Sequence, residues 1–213
     1  MKCDLYLKCV ILVSVIILIL PGYTVSQTTF EKHTLCTDFT QGTEVHACDV
    51  NQDGHMDFLA SGNRDGGQVL WWENNGYHDF IEHIVDDNID WARTVGAGDL
   101  NEDGHIDIVA AAWSANTVRW YENDGNENWT PHDIDNQFIG AHTVDIKDVN
   151  GDGRMDVLCS SFDNGPDFSE IAWWENMPDT NWTRHVISTR FQQSPFIYGE
   201  DIDDDGDMDI LAC

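Results

Sequence analysis

The chain has 213 residues and a formal net charge of −29, with 39 acidic against 10 basic side chains. A charge of this sign argues against a nucleic-acid partner, because the phosphate backbone would be repelled. A hydrophobic content of 41% that includes nine Trp favours a packed globular body over a disordered acidic chain.

Residues 1–26 have the layout of a secretory signal peptide. Lys2 and Lys8 are followed by an apolar run from Val10 to Leu20, and small residues lead up to Ser26. We therefore expect a secreted, extracellular protein whose mature part is residues 27–213. The apolar run is short for a membrane-spanning helix, which needs roughly 20 residues. An uncleaved signal that anchors the protein in a membrane is the alternative.

Two further features fit export. The sequons Asn128-Trp129-Thr130 and Asn181-Trp182-Thr183 predict a glycoprotein. Four cysteines remain after the predicted cleavage: Cys36, Cys48, Cys159 and Cys213. Four thiols allow three pairings, and the sequence does not choose between them.

A nine-residue motif occurs four times and marks an internal repeat. Its first, fifth and ninth positions are always Asp, its third is Asn or Asp, and its sixth is Gly. The copies begin 50, 49 and 53 residues apart. They are Asp49–Asp57, Asp99–Asp107, Asp148–Asp156 and Asp201–Asp209.

Two other features keep the same period. A paired aromatic followed by Glu-Asn occurs at Trp71–Asn74, Trp120–Asn123 and Trp173–Asn176, and a His at His33, His83, His132 and His185. Each His lies two residues before an apolar position, so we expect packed, hydrogen-bonded structural roles rather than catalysis. The aromatics are interpreted as core residues rather than as sugar-stacking platforms.

Short strands account for each unit. In the second unit they are predicted at Thr94–Gly98, Ile106–Ala111, Thr117–Tyr121 and Trp129–Ile134. The pairs Asn75-Gly76 and Asp124-Gly125 predict hairpin turns between third and fourth strands. The mature chain shows no sustained helical period. Four antiparallel strands in a unit of about 50 residues are typical of a blade of an all-β propeller.

The units add up to about three and a half repeats. Phe30–Leu35 is predicted as a lone fourth strand, three full blades end near Ile187, and strands at Phe196–Gly199 and Asp209–Cys213 follow. Because propellers usually have about 4–8 blades, we expect a partial or open propeller. A piece of a longer protein with further blades is the first interpretation. An open arc or a self-associating partial ring is the second.

The loops offer the ligands that Ca²⁺ prefers. Oxygens at positions one, three, five and nine, with the backbone carbonyl at seven, can surround a hard cation, and Gly at six permits the turn. An EF-hand is excluded, because position twelve is not Glu and the flanks are predicted strands. Acidic turns without metal, whose side chains cap backbone N–H groups, are the alternative.

The predicted ligands are five residues from each loop. They are Asp49, Asn51, Asp53, His55, Asp57, Asp99, Asn101, Asp103, His105, Asp107, Asp148, Asn150, Asp152, Arg154, Asp156, Asp201, Asp203, Asp205, Asp207 and Asp209. His55, His105, Arg154 and Asp207 would ligate through their carbonyls, so their side chains are free to differ. Asp203 adds a charge to the fourth loop, which should bind Ca²⁺ most tightly.

The segment VGAGDLNEDGHIDIVAA (Val95–Ala111) resembles the FG-GAP repeat, also called the VCBS-type repeat, of integrin-α-like β-propellers. The resemblance covers essentially the whole mature chain. It implies that each loop joins the first two strands of a blade and holds one Ca²⁺ through Asp49, Asn51, Asp53 and Asp57 or their equivalents.

Two functions remain open. The first is a secreted, calcium-binding scaffold for adhesion or binding to an extracellular protein or glycan. The alternative is an extracellular carbohydrate-active enzyme or a fragment of one, since similar repeats occur in sugar lyases and aldos-2-ulose dehydratase-like proteins. No residue is predicted to be catalytic, but His46, Arg93 and His142 start first strands, near where a central channel would open.

Overall fold

The computed structural model describes residues 34–36, 39, 41–63, 66–77, 79–162, 169–191 and 196–213, with only the backbone at 190–191. The predicted signal peptide (residues 1–26), His33 and most of the predicted strand Phe30–Leu35 lie outside these residues. Within the described parts of the chain, no helix is long and apolar enough to span a bilayer.

In the described residues, fourteen strands form three four-stranded antiparallel sheets and one two-stranded sheet. In every sheet the strands lie side by side in chain order. The first blade is β1 (Gly42–Cys48), β2 (Asp57–Gly62), β3 (Gln68–Asn74) and β4 (Phe80–Asp86). The second blade is β5 (Ala92–Gly98), β6 (Asp107–Ala112), β7 (Thr117–Asn123) and β8 (Trp129–Asp135).

The third blade is β9 (Ala141–Lys147), β10 (Asp156–Ser161), β11 (Ser169–Met177) and β12 (Asn181–Phe191). The fourth unit is β13 (Ile197–Glu200) and β14 (Asp209–Ala212). A 3-10 turn, Pro178–Thr180, joins β11 to β12. The predicted all-β blades are thus confirmed, with strand ends shifted by one or two residues.

The blades stand next to one another through their first strands. β1 contacts β5, β5 contacts β9, and β9 contacts β13. The four sheets are not closed into a ring over the described residues, so the fold is an open, propeller-like series. Since each first strand leads directly into an Asp-rich loop, this arrangement brings all four loops to the same end of the sheets.

The core fills the spaces between neighbouring blades. Between the first and second blades, Trp71 packs in one cluster with Val95 and Tyr121. Between the second and third, Trp120 and Trp174 pack with Phe138 and Val144. The paired aromatics of the third strands therefore belong to the core, because their large side chains remove more apolar area from water than any other residues.

The cysteines do not cross-link the described fold. No disulfide joins Cys36, Cys48, Cys159 and Cys213, the four cysteines that the structure describes. Cys159 is fully buried in the cluster between the second and third blades, and burial raises the pKa of its thiol. The neighbouring blades contact one another through these packed clusters.

Candidate metal-binding loops

The loops turn tightly because their sixth residue adopts a left-handed conformation. Gly54, Gly104, Gly153 and Gly206 have φ of +89°, +89°, +92° and +93°. A residue without a Cβ adopts this conformation without a steric penalty. In the first loop, the turn places the side chains of positions one, three and five against the backbone N–H groups of positions five to seven.

Short hydrogen bonds hold the second loop together. Asp99 accepts the N–H of Asp103 at 3.2 Å and that of Gly104 at 2.9 Å. Asn101 Oδ1 also accepts from Asp103 at 3.1 Å, and Asp103 accepts from the His105 N–H at 2.8 Å. The first and third loops repeat these four contacts. These are the capping bonds of the metal-free alternative, and each oxygen keeps a second lone pair.

The ninth Asp ties each complete blade together. Asp107 is 0% exposed, and its carboxylate accepts the N–H of Leu100 at 3.0 Å and that of Asn123 at 2.8 Å. Asp57 and Asp156 do the same in the other two blades. Burial raises the pKa of Asp107 to about 6. Asp107 therefore links the loop, through Leu100, to the third strand, through Asn123.

The third and fourth strands also reach the loop. Asn101 Nδ2 donates to Glu122 Oε1 at 3.3 Å, and Glu122 Oε2 lies 2.8 Å from His132 Nε2. The His132 ring stacks on Trp120 with centroids 4.7 Å apart. Equivalent contacts occur in the first and third blades. The predicted structural role is thereby confirmed for His83, His132 and His185.

The residues at position seven differ in how their side chains pack. The His55 and His105 rings lie against the hairpin glycines Gly76 and Gly125, where an added Cβ would approach within 2.5 and 2.4 Å. In the third loop, Arg154 forms an ion pair with Asp152 and donates from Nε to the Asn176 carbonyl at 2.6 Å. The side chain of Arg154 is therefore engaged, although the sequence analysis leaves position seven free to vary.

The fourth loop departs from the other three. Asp201 accepts the N–H groups of Asp205 and Gly206, and Asp205 accepts from Asp207. Carboxylate oxygens of Asp201, Asp203 and Asp209 lie within 4.8 Å of one another. Of the predicted ligands in this loop, the structure thus gathers positions one, three and nine but not Asp205. Three converging carboxylates form a donor set that suits a hard cation such as Ca²⁺.

A separate cavity of about 470 Å³ lies along the first strands. Its polar wall includes Glu44 of β1, His46 of β1 and Asp145 of β9. Glu44 accepts the Val95 N–H at 2.9 Å, and burial raises the pKa of its carboxyl to about 7. Burial also lowers the pKa of His46. Glu44 and Asp145 were not predicted as site residues, because neither recurs at the period of the repeat.

The other two channel candidates lie elsewhere. Arg93 and His142 are not among the residues that line this cavity. The Arg93 guanidinium lies 5.8 and 6.0 Å from the ring centroids of Trp91 and Trp113. The His142 ring contacts Phe162 at 5.6 Å between centroids. The three predicted candidates therefore do not converge on one site.

Comparison with known families identifies the repeats. The model of the FG-GAP-like repeat matches residues 49–110, 99–159 and 148–212, which spans the second strand of the first blade to the fourth unit. Each match begins at the first Asp of a loop. No curated protein shows significant sequence similarity to the chain.

Proposed function

The chain belongs to the FG-GAP-like repeat family, and from this premise we propose that it is a secreted β-propeller module that binds Ca²⁺ in its loops. In this proposal it acts as a scaffold for an extracellular protein or glycan partner. The observation that carries the proposal is the convergence of Asp201, Asp203 and Asp209 in a loop that recurs three times more. The predicted residues of each loop would hold the ion.

The chemistry of the loops supports calcium over other metals. Every side chain offered at positions one, three, five and nine ends in oxygen, and thiolate or imidazole donors are absent from these positions. The ion would supply countercharge to acids that otherwise repel one another. Its role would be structural, since a ligand that binds only the folded state stabilises that state by mass action.

Export is supported by the N-terminal pattern and by the sequons. The asparagines of both sequons, Asn128 and Asn181, are exposed at hairpins between third and fourth strands. A glycan could therefore be attached at either position without displacing the core. Retention of the signal as a membrane anchor is the alternative.

Thermal unfolding with and without EDTA, at constant ionic strength, tests calcium binding. We expect EDTA to lower the melting midpoint, and Ca²⁺ to restore it better than Mg²⁺, which demands a stricter octahedral geometry. An unchanged midpoint would contradict the proposal. Binding to a glycan array and to extracellular-matrix proteins, each with and without EDTA, tests the scaffold role.

One observation favours the carbohydrate-active alternative. Glu44, His46 and Asp145 come from two different blades and line one cavity, and a carboxyl with a pKa of about 7 suits proton transfer near neutral pH. Turnover on a panel of polysaccharides, compared between wild type, Glu44→Gln and the control Glu200→Gln, tests it. We expect only Glu44→Gln to lose turnover, and absence of turnover on every substrate by the wild type sinks the alternative.

A further inference from the structure

The repeated Asn at loop position three has a fixed orientation in the three complete blades. An amide side chain has an oxygen end and a nitrogen end, and only the oxygen can ligate a cation. Nδ2 of Asn51, Asn101 and Asn150 donates to the Glu of the third strand at 3.3, 3.3 and 3.1 Å. In the second and third loops Nδ2 also donates to the Asp at position five, at 3.0 and 3.1 Å. Because the amide is planar, these bonds together fix the direction of Oδ1, which accepts the N–H of position five.

The Glu is itself held in place from the fourth strand. Its second oxygen lies 2.9, 2.8 and 2.7 Å from Nε2 of His83, His132 and His185. Each His ring stacks on the first aromatic of the pair, with centroids 4.3, 4.7 and 4.4 Å apart. A continuous row of contacts therefore runs from the fourth strand, through the third, to the loop.

The fourth unit has a different residue at position three. Its position three is Asp203, whose two oxygens are equivalent, so no partner is needed to choose which end faces the loop. Among the described residues, β14 has no third strand beside it. The three loops with Asn each have a Glu within hydrogen-bonding distance of the amide, whereas the carboxylate of Asp203 needs no such orientation.

We propose that Glu73, Glu122 and Glu175 are positioning residues that set the cation affinity of the first three loops, and that the stacked His residues hold them. This inference rests on the proposed binding of Ca²⁺ by the loops. It assigns a function to the paired-aromatic and His motifs, which the repeat alone leaves as core residues.

Substitutions in the second blade separate hydrogen bonding from charge. Glu122→Leu removes the hydrogen bonds to Asn101 and His132 and leaves the one from Asn101 to Asp103. Glu122→Gln keeps an acceptor for Asn101 and a donor for His132 but removes the charge. Glu102→Gln removes a neighbouring exposed charge and leaves the row of contacts intact. Loss of groups that orient a metal ligand typically weakens metal binding about 10–100-fold, so we expect a decrease of that size for Glu122→Leu. For Glu122→Gln and Glu102→Gln we expect the Ca²⁺ affinity of the second loop to fall by less than about fivefold.

The measurement is a Ca²⁺ titration followed by amide NMR, in which Gly104 reports the second loop. Gly54, Gly153 and Gly206 report the other loops and serve as internal controls. In the protein without Ca²⁺, side-chain amide protons of Asn101 report the positioning directly. We expect their signals to shift and exchange faster in Glu122→Leu and to keep their positions in Glu122→Gln.

The outcomes separate failure of the positioning role of Glu122 from failure of Ca²⁺ binding by the loops. If no glycine responds to Ca²⁺ in the wild type, calcium binding fails, and the Asn101 signals still show whether Glu122 orients the amide. If Glu122→Leu binds at Gly104 like the wild type, the positioning role is overturned. Should that variant not fold, His132→Phe keeps the stack on Trp120 and removes only the bond to Glu122. A weaker affinity at Gly104 then supports the inference, and an unchanged one refutes it.

Discussion

The second blade and the fourth unit carry the same nine-residue motif in different surroundings. In the second blade, Asp107 is 0% exposed and accepts two backbone N–H groups, one of them from the third strand. In the fourth unit, Asp209 is partly exposed, and Ile202 is the only N–H donor that the described residues give it, at 3.1 Å. Asp107 thus stabilises a sheet through two hydrogen bonds, whereas Asp209 belongs to a cluster of carboxylates.

The difference shows that the motif has two separable tasks. Positions one and five accept backbone N–H groups within the loop in all four copies of the motif, because these contacts are local. Position nine acquires its second task only when a third strand lies beside the second, because the N–H of Asn123 comes from that strand. The three predictions that follow run from the largest expected effect to the smallest; the first and third test this distinction, and the second tests a junction between blades.

Replacing the ninth Asp should lower the free energy of unfolding far more in the second blade than in the fourth unit. Asp107→Ala leaves two buried N–H groups without acceptors. Each such group typically lowers stability by about 1–3 kcal/mol, so we expect the variant to be less stable by about 4 kcal/mol. For Asp209→Ala we expect about 1 kcal/mol. Urea unfolding in EDTA measures both without a contribution from calcium. Equal losses would mean that the third strand adds nothing to the role of Asp107.

The junctions between blades differ in their sensitivity to pH. Glu44 joins the first blade to the second through Val95, and burial raises its pKa from 4.5 to about 7. A raised pKa means that the native state holds the proton more tightly than the unfolded state. The stability contributed by protonated Glu44 is therefore complete below pH 4.5 and is lost as the pH rises through 7.

Glu44→Gln removes this dependence. We expect the variant to gain stability relative to the wild type between pH 5 and pH 8, by at most about 3 kcal/mol. Urea unfolding across that range measures the gain, with Glu200→Gln as a control for the loss of one acidic charge. A constant difference between variant and wild type would show that the carboxyl of Glu44 does not titrate in this way.

Exchanging position three should affect the two loops unequally. Asp203→Asn removes a charge from the fourth loop. A unit charge about 4 Å from a divalent ion in water is worth about 2 kcal/mol, so we expect roughly 30-fold weaker Ca²⁺ binding there. The reverse change, Asn101→Asp, should not strengthen the second loop, because the new carboxylate would face Glu122. The amide signals of Gly206 and Gly104 report the two affinities. Tighter Ca²⁺ binding by the second loop in Asn101→Asp would show that charge alone sets the affinity.

Local sequence determined much of this protein. The period of the motif gave the number of units, the alternation of apolar residues gave the strands, and Asp with Gly at set positions gave the four loops. The family followed from the same residues. These features were predictable because hydrogen bonds within a loop and between adjacent strands join residues close in the chain.

Only the tertiary structure decided which distant groups meet. Glu122 lies 21 residues from Asn101 and faces it only because the third strand pairs with the second. Glu44 and Asp145 line one cavity because the first strands of separate blades converge. Asp107 and Asp209 occupy the same position of the motif, yet neighbouring strands bury one and leave the other beside Asp201. The sequence thus specified each unit and its loop, whereas the packing of one strand against the next assigned the individual acids their tasks.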